Sequence, residues 1–258
     1  MSGYRRLSEI AEREQRHKIF GVVVAIVTNN KDDKGHYRVK VRFPWLPNGG
    51  DSNAEESDWC RIASPMAGNG RGMFLLPEVG DEVLVAFEHG EIARPFVVGA
   101  LWNGKDKETY DNKGGKNNQR AFKSRSGHVL EFCDDKENKK EKITIKSAAG
   151  ARVVIDDSDG GKKIEIYDDS SNNYVLIDST NKKITVESKN GEILLKAKDK
   201  IRLEAKTIET KSDSDTKMEV GANFDLKVQS NMTLKASAQG DIESSATMTI
   251  KGATVNIN

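Results

Sequence analysis

A repeat of eight residues near the carboxyl end of the sequence is the feature that most limits how this chain can fold. Mostly apolar residues recur at this spacing in three columns between residues 216 and 252. The columns are Met218, Leu226, Leu234, Ile242 and Ile250; Thr216, Phe224, Met232, Gly240 and Met248; and Val220, Val228, Ala236, Ser244 and Gly252. Because side chains two residues apart on a strand share one face, the columns predict short strands with one dry face. A fixed period this short indicates a repeat architecture.

The same two-residue step of apolar side chains begins upstream, at about Lys142. The pairs are Ile143/Ile145, Ile164/Ile166, Val175/Ile177, Ile184/Val186, Ile193/Leu195 and Ile201/Leu203. Turn-forming residues predict corners between strands. These corners are Ser147–Gly150, Ser158–Gly161, Ser179–Asn181, Lys189–Gly191 and Gln239–Gly240. The sequence therefore predicts an unbroken succession of short strands and tight corners over residues 124–258.

One copy of such a repeat cannot bury its own apolar residues, because each octad offers only two or three of them and a lone ribbon leaves long unpaired edges. A single-chain β-solenoid is one closed solution, but solenoid repeats usually need about 20 residues or more. Three chains that each supply one strand per layer are favoured, which predicts a trimeric, intertwined, triple-stranded β-helix. The predicted trimer core is Met218, Phe224, Leu226, Met232, Leu234, Ile242, Met248 and Ile250.

Residues 18–103 predict a small β-barrel in front of the repeat. The candidate strands are Ile19–Val27, Tyr37–Phe43, Trp59–Ala63, Glu82–Glu88 and Pro95–Leu101. Five strands of this length fit a Greek-key barrel of the OB type, and an SH3-like barrel is the alternative. In the second strand Val39 and Val41 alternate with Arg38 and Lys40, so the valines are predicted to face the core.

The remaining segments are a leader and a linker. Residues 1–17 predict a short helix with Leu7 and Ile10 on one face; it is either a frayed leader or a docking helix that contacts a neighbouring hub subunit through these two residues. Residues 104–123 are polar and predict a linker. The whole chain is therefore predicted to be all-β apart from the leader.

Composition excludes several function classes. The chain has 41 basic and 40 acidic residues, a net charge of +1, so it lacks the basic excess that nucleic-acid binders show. No apolar run approaches the length of a membrane-spanning helix, and the polar N-terminus does not resemble a signal peptide. These features predict synthesis and assembly in the cytoplasm. The two cysteines, Cys60 and Cys133, are predicted to be free thiols.

No pattern of catalytic, cofactor-binding or metal-binding residues is present. The histidines, at positions 17, 36, 89 and 128, are scattered, and no nucleophile, zinc or phosphate-loop motif occurs. Asp157–Gly161 is the nearest approach to a calcium loop, but Asp is an ordinary corner residue and a solvated corner is predicted. We therefore predict a protein that is not an enzyme and that has no cofactor and no metal.

Two motifs resemble a known family. Gly72-Met-Phe-Leu-Leu-Pro-Glu-Val-Gly-Asp-Glu-Val-Leu-Val-Ala-Phe-Glu-His-Gly-Glu-Ile-Ala-Arg-Pro-Phe-Val-Val-Gly-Ala-Leu-Trp-Asn-Gly104 is similar to the barrel signature of phage baseplate assembly protein V and of valine-glycine-repeat protein G (VgrG) of type VI secretion. Ser124-Arg-Ser-Gly-His-Val-Leu-Glu-Phe-Cys-Asp-Asp135 is similar to the VgrG segment that leads into its β-helix. Physically, Pro77, Gly80 and Gly90 in the first motif are turn residues.

The resemblance implies the central spike of a contractile injection system. It implies a homotrimeric, membrane-piercing needle that helps to deliver effectors beyond an inner tube into a target cell envelope. Unlike VgrG, the chain has no large hub domain before the barrel, so a separate hub or baseplate ring is expected. Because Val255 and Ile257 would leave an apolar end on three copies, a tip cap of the PAAR-repeat type is expected. Its predicted contacts are Thr249, Ile250, Lys251, Thr254, Val255, Asn256, Ile257 and Asn258.

Two other functions stay open on the sequence. A trimeric tail fibre or adhesin would share the repeat, although fibres usually end in a globular head whereas this sequence ends within its repeat. An OB-type nucleic-acid-binding protein would use exposed aromatic residues among basic ones; Phe43, Trp45 and Trp59 are the candidates. The alternation of the second strand places Phe43 in the core and weighs against that function, so no nucleic-acid partner is predicted.

Overall fold

In a computed structural model, which describes residues 18–47 and 55–257, the chain is almost entirely β-structure. The predicted all-β fold with an N-terminal barrel is confirmed. The barrel strands are β1 (Val22–Asn29), β2 (Arg38–Arg42), β3 (Cys60–Ile62), β6 (Glu82–Phe87) and β7 (Pro95–Leu101). A small hairpin of β4 (Ala67–Gly68) and β5 (Arg71–Gly72) and a 3-10 turn (Glu88–Gly90) lie between them. The predicted leader and its hub contacts Leu7 and Ile10 lie outside the described residues.

The barrel is closed in the order β1-β2-β3-β7-β6. All neighbouring strands are antiparallel except β3 and β7, which pair in parallel. Counting only barrel strands, this is the order 1-2-3-5-4 of a five-stranded Greek-key barrel, as the OB-type prediction required. Closure leaves no free sheet edge on this domain.

The barrel core consists of inward-facing aliphatic and aromatic side chains. It contains Ala25, Val27, Val39, Val41, Phe43, Cys60, Val83, Val85, Phe87 and Val97. Val39 and Val41 are fully buried and Arg38 and Lys40 are not, so the alternation predicted for β2 is confirmed. Burying apolar side chains on one face of each strand is the main favourable contribution to folding, and this domain achieves it within one chain.

Two glycines shape the barrel where the family-like motif predicted turns. Gly80 has φ +101 and follows Val79 in a turn that the Asp81 N–H closes by donating to the Glu78 carbonyl at 3.1 Å. Gly90 has φ +78 and accepts a hydrogen bond from the Ile19 N–H at 2.9 Å. A Cβ at Gly90 would lie 2.9 Å from the Lys18 Cβ, so this position needs glycine for space as well as for backbone conformation.

A seven-stranded antiparallel sheet follows the barrel. Its strands are β8 (Gln119–Lys123), β9 (Val129–Cys133), β10 (Lys142–Lys146), β11 (Arg152–Asp156), β12 (Lys163–Tyr167), β13 (Asn173–Asp178) and β14 (Lys183–Ser188). Each strand pairs with the next in the chain. The predicted linker over 104–123 is therefore wrong at its end, because β8 belongs to the sheet.

The chain beyond the sheet contains bends but no assigned strand in the part that the structure describes, up to residue 257. We call residues 195–257 the octad segment; they form a separate unit of the chain. Pairs of bend residues recur at 213–214, 221–222, 229–230, 237–238, 245–246 and 253–254. The bends confirm the period of eight. They also correct one corner, which lies at 237–238 and not at Gln239–Gly240.

The sheet differs from the predicted repeat. Strands β10 to β14 begin at positions 142, 152, 163, 173 and 183, ten or eleven residues apart, and fold back on each other as hairpins. Residues 119–188 thus find their backbone partners within the chain. The sequence predicted one intertwined, triple-stranded β-helix over residues 124–258. That prediction is wrong for residues 124–188, whose strands pair within one chain, and the regular spacing of eight appears only after about residue 190.

Candidate functional site

The most distinctive surface of the molecule is one face of the seven-stranded sheet. The strand registers align two ladders of side chains across it. One ladder is Phe132, Ile143, Ile155, Ile164, Ile177 and Ile184; the other is Phe122, Leu130, Ile145, Val153, Ile166, Val175 and Val186. We call these thirteen residues the apolar face. Its members are partly or largely exposed in the single chain, and on β8 the first ladder ends at Arg120, which pairs with Phe132.

The apolar face is larger than a lone soluble sheet tolerates. Ile184 is 70% exposed, and Ile145, Phe122 and Val186 are also more than half exposed. Contiguous apolar patches beyond a few hundred Å² mark interaction sites, and cross-strand aliphatic and aromatic pairs stabilise a sheet mainly when they are shielded from water. The side chains of the apolar face can be shielded from water only if another apolar surface packs against them.

The opposite face of the sheet is mainly polar, although the buried residues Cys133 and Val154 also lie on it. It carries cross-strand neighbours of opposite charge such as Lys163 beside Asp178 and Asp156, and Arg152 lies 4.3 Å above the Tyr167 ring. The Tyr167 and Tyr174 rings pack with centroids 5.3 Å apart. These interactions suit a solvated surface, so the sheet has one wet face and one face that requires a partner.

The predicted inward pairs of the sheet are confirmed as sharing one face. Ile143/Ile145, Ile164/Ile166, Val175/Ile177 and Ile184/Val186 all lie on the apolar face. The sequence reasoning missed Val153/Ile155 and Leu130/Phe132. Both have the same apolar two-residue step, and a glycine turn precedes each of them, at Gly150 and Gly127, so that signal was present.

The octad segment exposes its apolar columns as well. All eight predicted trimer-core residues are exposed in the single chain, and Leu234 is 76% exposed. Residues 195–257 form no strand ladder within the chain. In the single chain, the apolar side chains of these stretches are therefore unburied and their backbone groups are not paired in a sheet. At the predicted tip, Ile257 is 87% exposed and Val255 is about half exposed. Asn258 lies outside the described residues.

Two of the three aromatic residues considered for nucleic-acid stacking, Phe43 and Trp59, contact other side chains of the barrel. Phe43 is buried and packs against Phe87 at 5.7 Å between centroids. The Trp59 ring has the Lys40 Nζ 5.5 Å and the Arg38 Cζ 5.8 Å from its centroid. Phe43 thus lies in the core, as predicted. Trp45 is 47% exposed and packs against Phe43 with ring centroids 5.9 Å apart, so the three aromatic residues do not form a set of free rings for base stacking.

Titratable groups in the barrel and sheet play structural roles. The Arg38 guanidinium donates to Asp32 at 2.6 Å and lowers the pKa of that carboxyl below its ordinary value. Burial raises the pKa of the Cys60 thiol, which disfavours the reactive thiolate. The Tyr110 hydroxyl donates to Glu131, and this hydrogen bond, together with burial, raises the pKa of Tyr110 to about 12. This contact holds the segment before β8 against β9.

Cys60 and Cys133 are free and buried, as predicted. Within residues 18–47 and 55–257, no three histidine, cysteine, aspartate or glutamate side chains gather as a metal site would require. Among the same residues, no helix has the length and apolar composition needed to cross a bilayer.

Comparison with known proteins connects the barrel to a family. The model of the type VI secretion system/phage-baseplate injector OB domain matches residues 23–102. The chain is 35% identical over 98 residues to the type VI secretion system spike protein VgrG4b of Pseudomonas aeruginosa, a match that covers 36% of this chain and 12% of that protein. It is 29% identical over 138 residues to the spike protein VgrG1c of the same organism, covering 52% and 18%.

A further relative is the actin cross-linking toxin VgrG1 of Vibrio cholerae, 29% identical over 106 residues, which covers 39% of this chain and 9% of the toxin. The matched segments are thus less than a fifth of the length of each of these three relatives. The match to VgrG1c, at 138 residues, is longer than the match of the OB-domain model, which covers residues 23–102.

Proposed function

We propose, from the premise that its barrel is an injector OB domain and the chain is VgrG-like, that this protein is the central spike of a contractile injection system. It acts as a homotrimer, with the barrels at the base and a β-helical needle beyond them. The needle pierces a target envelope when the machine contracts and helps to deliver effectors.

The apolar face carries the trimer proposal. Three copies of a sheet with thirteen aliphatic and aromatic side chains on one face, and charged pairs on the other, can enclose a common axis as the three sides of a prism. At about 25 cal/mol per Å² of apolar surface removed from water, such a surface is a strong drive to association. Nothing in the described chain covers it.

The octad segment supports the same stoichiometry for a different reason. Its extended stretches of six residues are separated by two-residue bends and have no ladder of their own. Three chains that wind together give each stretch two strand neighbours, and the trimer core proposed above then points to the axis. A load along such an axis acts on stacked strands with no free lateral edge, which suits a needle that is pushed through a membrane.

Partners follow from the exposed ends of this arrangement. A separate hub or baseplate ring receives the leader through Leu7 and Ile10, and the inner tube and effectors lie behind it. A PAAR-type cap seats on the tip-cap residues named in the sequence analysis, supported by the exposure of Val255 and Ile257. Deleting residues 249–258 should abolish co-purification of a cap while the trimer persists; a cap that still co-purifies would sink this assignment.

The proposed function is mechanical: the protein transmits force and catalyses no reaction. The chain is not proposed as an enzyme, although one relative is named as a toxin, and nucleic acid is not proposed as a partner. The protein assembles in the cytoplasm into an injection particle, and contraction carries the spike to the target envelope. No cofactor or metal enters this function.

Light scattering of the purified full-length chain tests the proposal directly. The expected mass is three times the chain mass of 28.5 kDa, without dissociation at micromolar concentration. A well-folded monomer under these conditions would remove both the needle and its piercing role.

A further inference from the structure

A hollow lies where the barrel meets the foot of the apolar face. Its volume is about 510 Å³. Leu75, Phe122, Leu130 and Ile145 are its large apolar wall residues, and the lysines Lys123 and Lys146 lie at its polar side. A cavity of about 150 Å³ is enough for a benzene ring, so this hollow has room for more than one large side chain. Its apolar wall and charged surround have the anatomy of an interface.

Leu75 is the barrel residue that lines the hollow; it belongs to residues 64–77, which we call the strap. Tyr37 fixes one end of it: its hydroxyl donates to the Leu75 carbonyl at 2.6 Å and accepts from the Leu75 N–H at 3.1 Å. Ser64 fixes the other end by donating to the carbonyls of Met66 and Met73, each at 3.0 Å. The strap is therefore an ordered hairpin whose apolar side chains are presented in fixed positions.

The strap carries apolar side chains that its own barrel does not bury. Phe74 is 74% exposed, with one contact to the Tyr37 ring at 5.0 Å between centroids, and Met66 is about half exposed. Leu75, next to Phe74 in the strap, lines the hollow. The strap thus carries exposed apolar side chains next in sequence to a residue that lines an apolar hollow, so a protrusion and a complementary recess lie within one short stretch of the molecule.

Three-fold symmetry decides how these surfaces can meet. Rotation about the axis of a trimer leaves the height of every residue along that axis unchanged. A side chain of one copy that fills the hollow of the next copy must therefore come from the same level as the hollow, which is the level of the strap. A cyclic trimer also requires a heterologous contact, in which a protrusion meets a different, complementary patch.

Resting on the proposed trimer, we infer that the strap of each copy is a latch between subunits: Phe74 inserts into the hollow at the foot of the neighbouring copy's apolar face, and Met66, on the other arm of the hairpin opposite Met73, lies in the same contact. The occupant of the hollow is thus a second copy of this chain. The contact continues the sheet interface onto the barrels and fixes their orientation. Within one copy the barrel and the sheet meet at the hollow, which Leu75 lines from the barrel side, and an exposed ion pair between Arg125 and Glu78 at 2.9 Å also joins them.

Site-specific photo-cross-linking tests the latch. A tagged chain that carries p-benzoylphenylalanine in place of Phe74, and in a second preparation in place of Met66, is co-produced with untagged wild-type chain, and the trimer is irradiated. The matched control places the probe at Trp102, which is 70% exposed on the same barrel but does not line the hollow.

The expected product is a covalent tagged–untagged pair whose linked peptide lies within residues 122–147 of the untagged chain, at least several-fold more abundant than in the control. An intact trimer that gives only links within one chain, or links elsewhere, overturns the latch and leaves the proposed spike standing. A monomer by light scattering overturns both.

Discussion

The seven-stranded sheet and the octad segment carry the same apolar two-residue step but complete their folding differently. Each sheet strand has a backbone partner within the chain, and only the apolar face lacks a partner. The octad stretches have neither a backbone partner within the chain nor a surface that covers their apolar side chains. The difference lies in the turns: each of the six sheet turns contains one residue with positive φ, namely Gly127, Lys139, Gly150, Gly160, Ser171 and Lys182.

No residue from 192 to 257 has a positive φ. Tight β-hairpins need left-handed residues to reverse the chain with the correct twist, and the octads have a two-residue bend with no such residue. The chain therefore bends there without folding back. The length of the repeat and the presence of left-handed turn residues together decide whether a strand pairs within its own chain or needs strands from other chains.

The largest effect is expected from a charge on the apolar face. Ile184→Asp should abolish the trimer, since three unpaired carboxylates would be buried together at several kcal/mol each. Its matched control is Thr185→Asp on the polar face of the same strand, which should leave the mass unchanged. In a lone chain Ile184 is the more exposed of the two, so in a monomeric protein neither substitution would change the mass. Light scattering of both variants decides.

A proline substitution tests whether the backbone of the octad segment is hydrogen-bonded in the assembly. Lys235 lies between Leu234 and Ala236, on the side away from the proposed core. If its N–H or its neighbours pair with another chain, Lys235→Pro should cost about 3 kcal/mol or more per chain and lower the melting temperature. Lys235→Ala is the control. Equal melting temperatures for the two variants would show that this stretch stays unpaired, as it is in the single chain.

Two leucines with equal exposure in one chain should differ in the assembly. Leu234 and Leu194 are 76% and 74% exposed, but only Leu234 belongs to an inward column. Leu234→Ala should destabilise the trimer by about 2–5 kcal/mol per cavity, whereas Leu194→Ala should change stability by less than about 1 kcal/mol. Thermal unfolding measures both, and a similar loss in the two variants would contradict the assigned inward face.

The smallest effect concerns the last hairpin turn of the sheet. The Asn181 side chain and N–H donate to Asp178 at 2.9 and 2.8 Å and lower the pKa of that carboxyl below its ordinary value of 3.8. A lowered folded-state pKa gives stability that is present above 3.8 and is lost as the pH falls through the folded value. Asp178→Asn should therefore flatten the fall in melting temperature as the pH drops below the ordinary carboxyl value of 3.8; an unchanged slope would exclude this contribution.

The sequence predicted the barrel better than the sheet. Alternation placed Pro95–Leu101 with both ends correct and Glu82–Phe87 to within one residue, because each barrel strand has a core face and a wet face of its own. The hairpins were missed because half of their left-handed residues, Lys139, Ser171 and Lys182, are not glycine. Such residues adopt positive φ only where the surrounding structure requires it, which composition does not reveal.

The surfaces that matter for assembly were predictable only in part. Columns at a spacing of eight identified the octad core residues, and the two-residue step identified most of the apolar face. The hollow and the strap were not visible, because they depend on Tyr37 and Ser64 fixing Leu75 and Met66. Hydrogen bonds between residues up to 38 positions apart leave no local pattern in a sequence.

The evenly spaced bends of the octad segment have a consequence for how its length can vary. Because strand side chains alternate with a period of two, losing one residue from an octad would turn every later column inside out, whereas losing eight would remove one layer and leave the others in phase. The length of the octad segment can therefore change only in steps of eight residues. Natural or engineered relatives should differ in reach by such steps and by nothing in between.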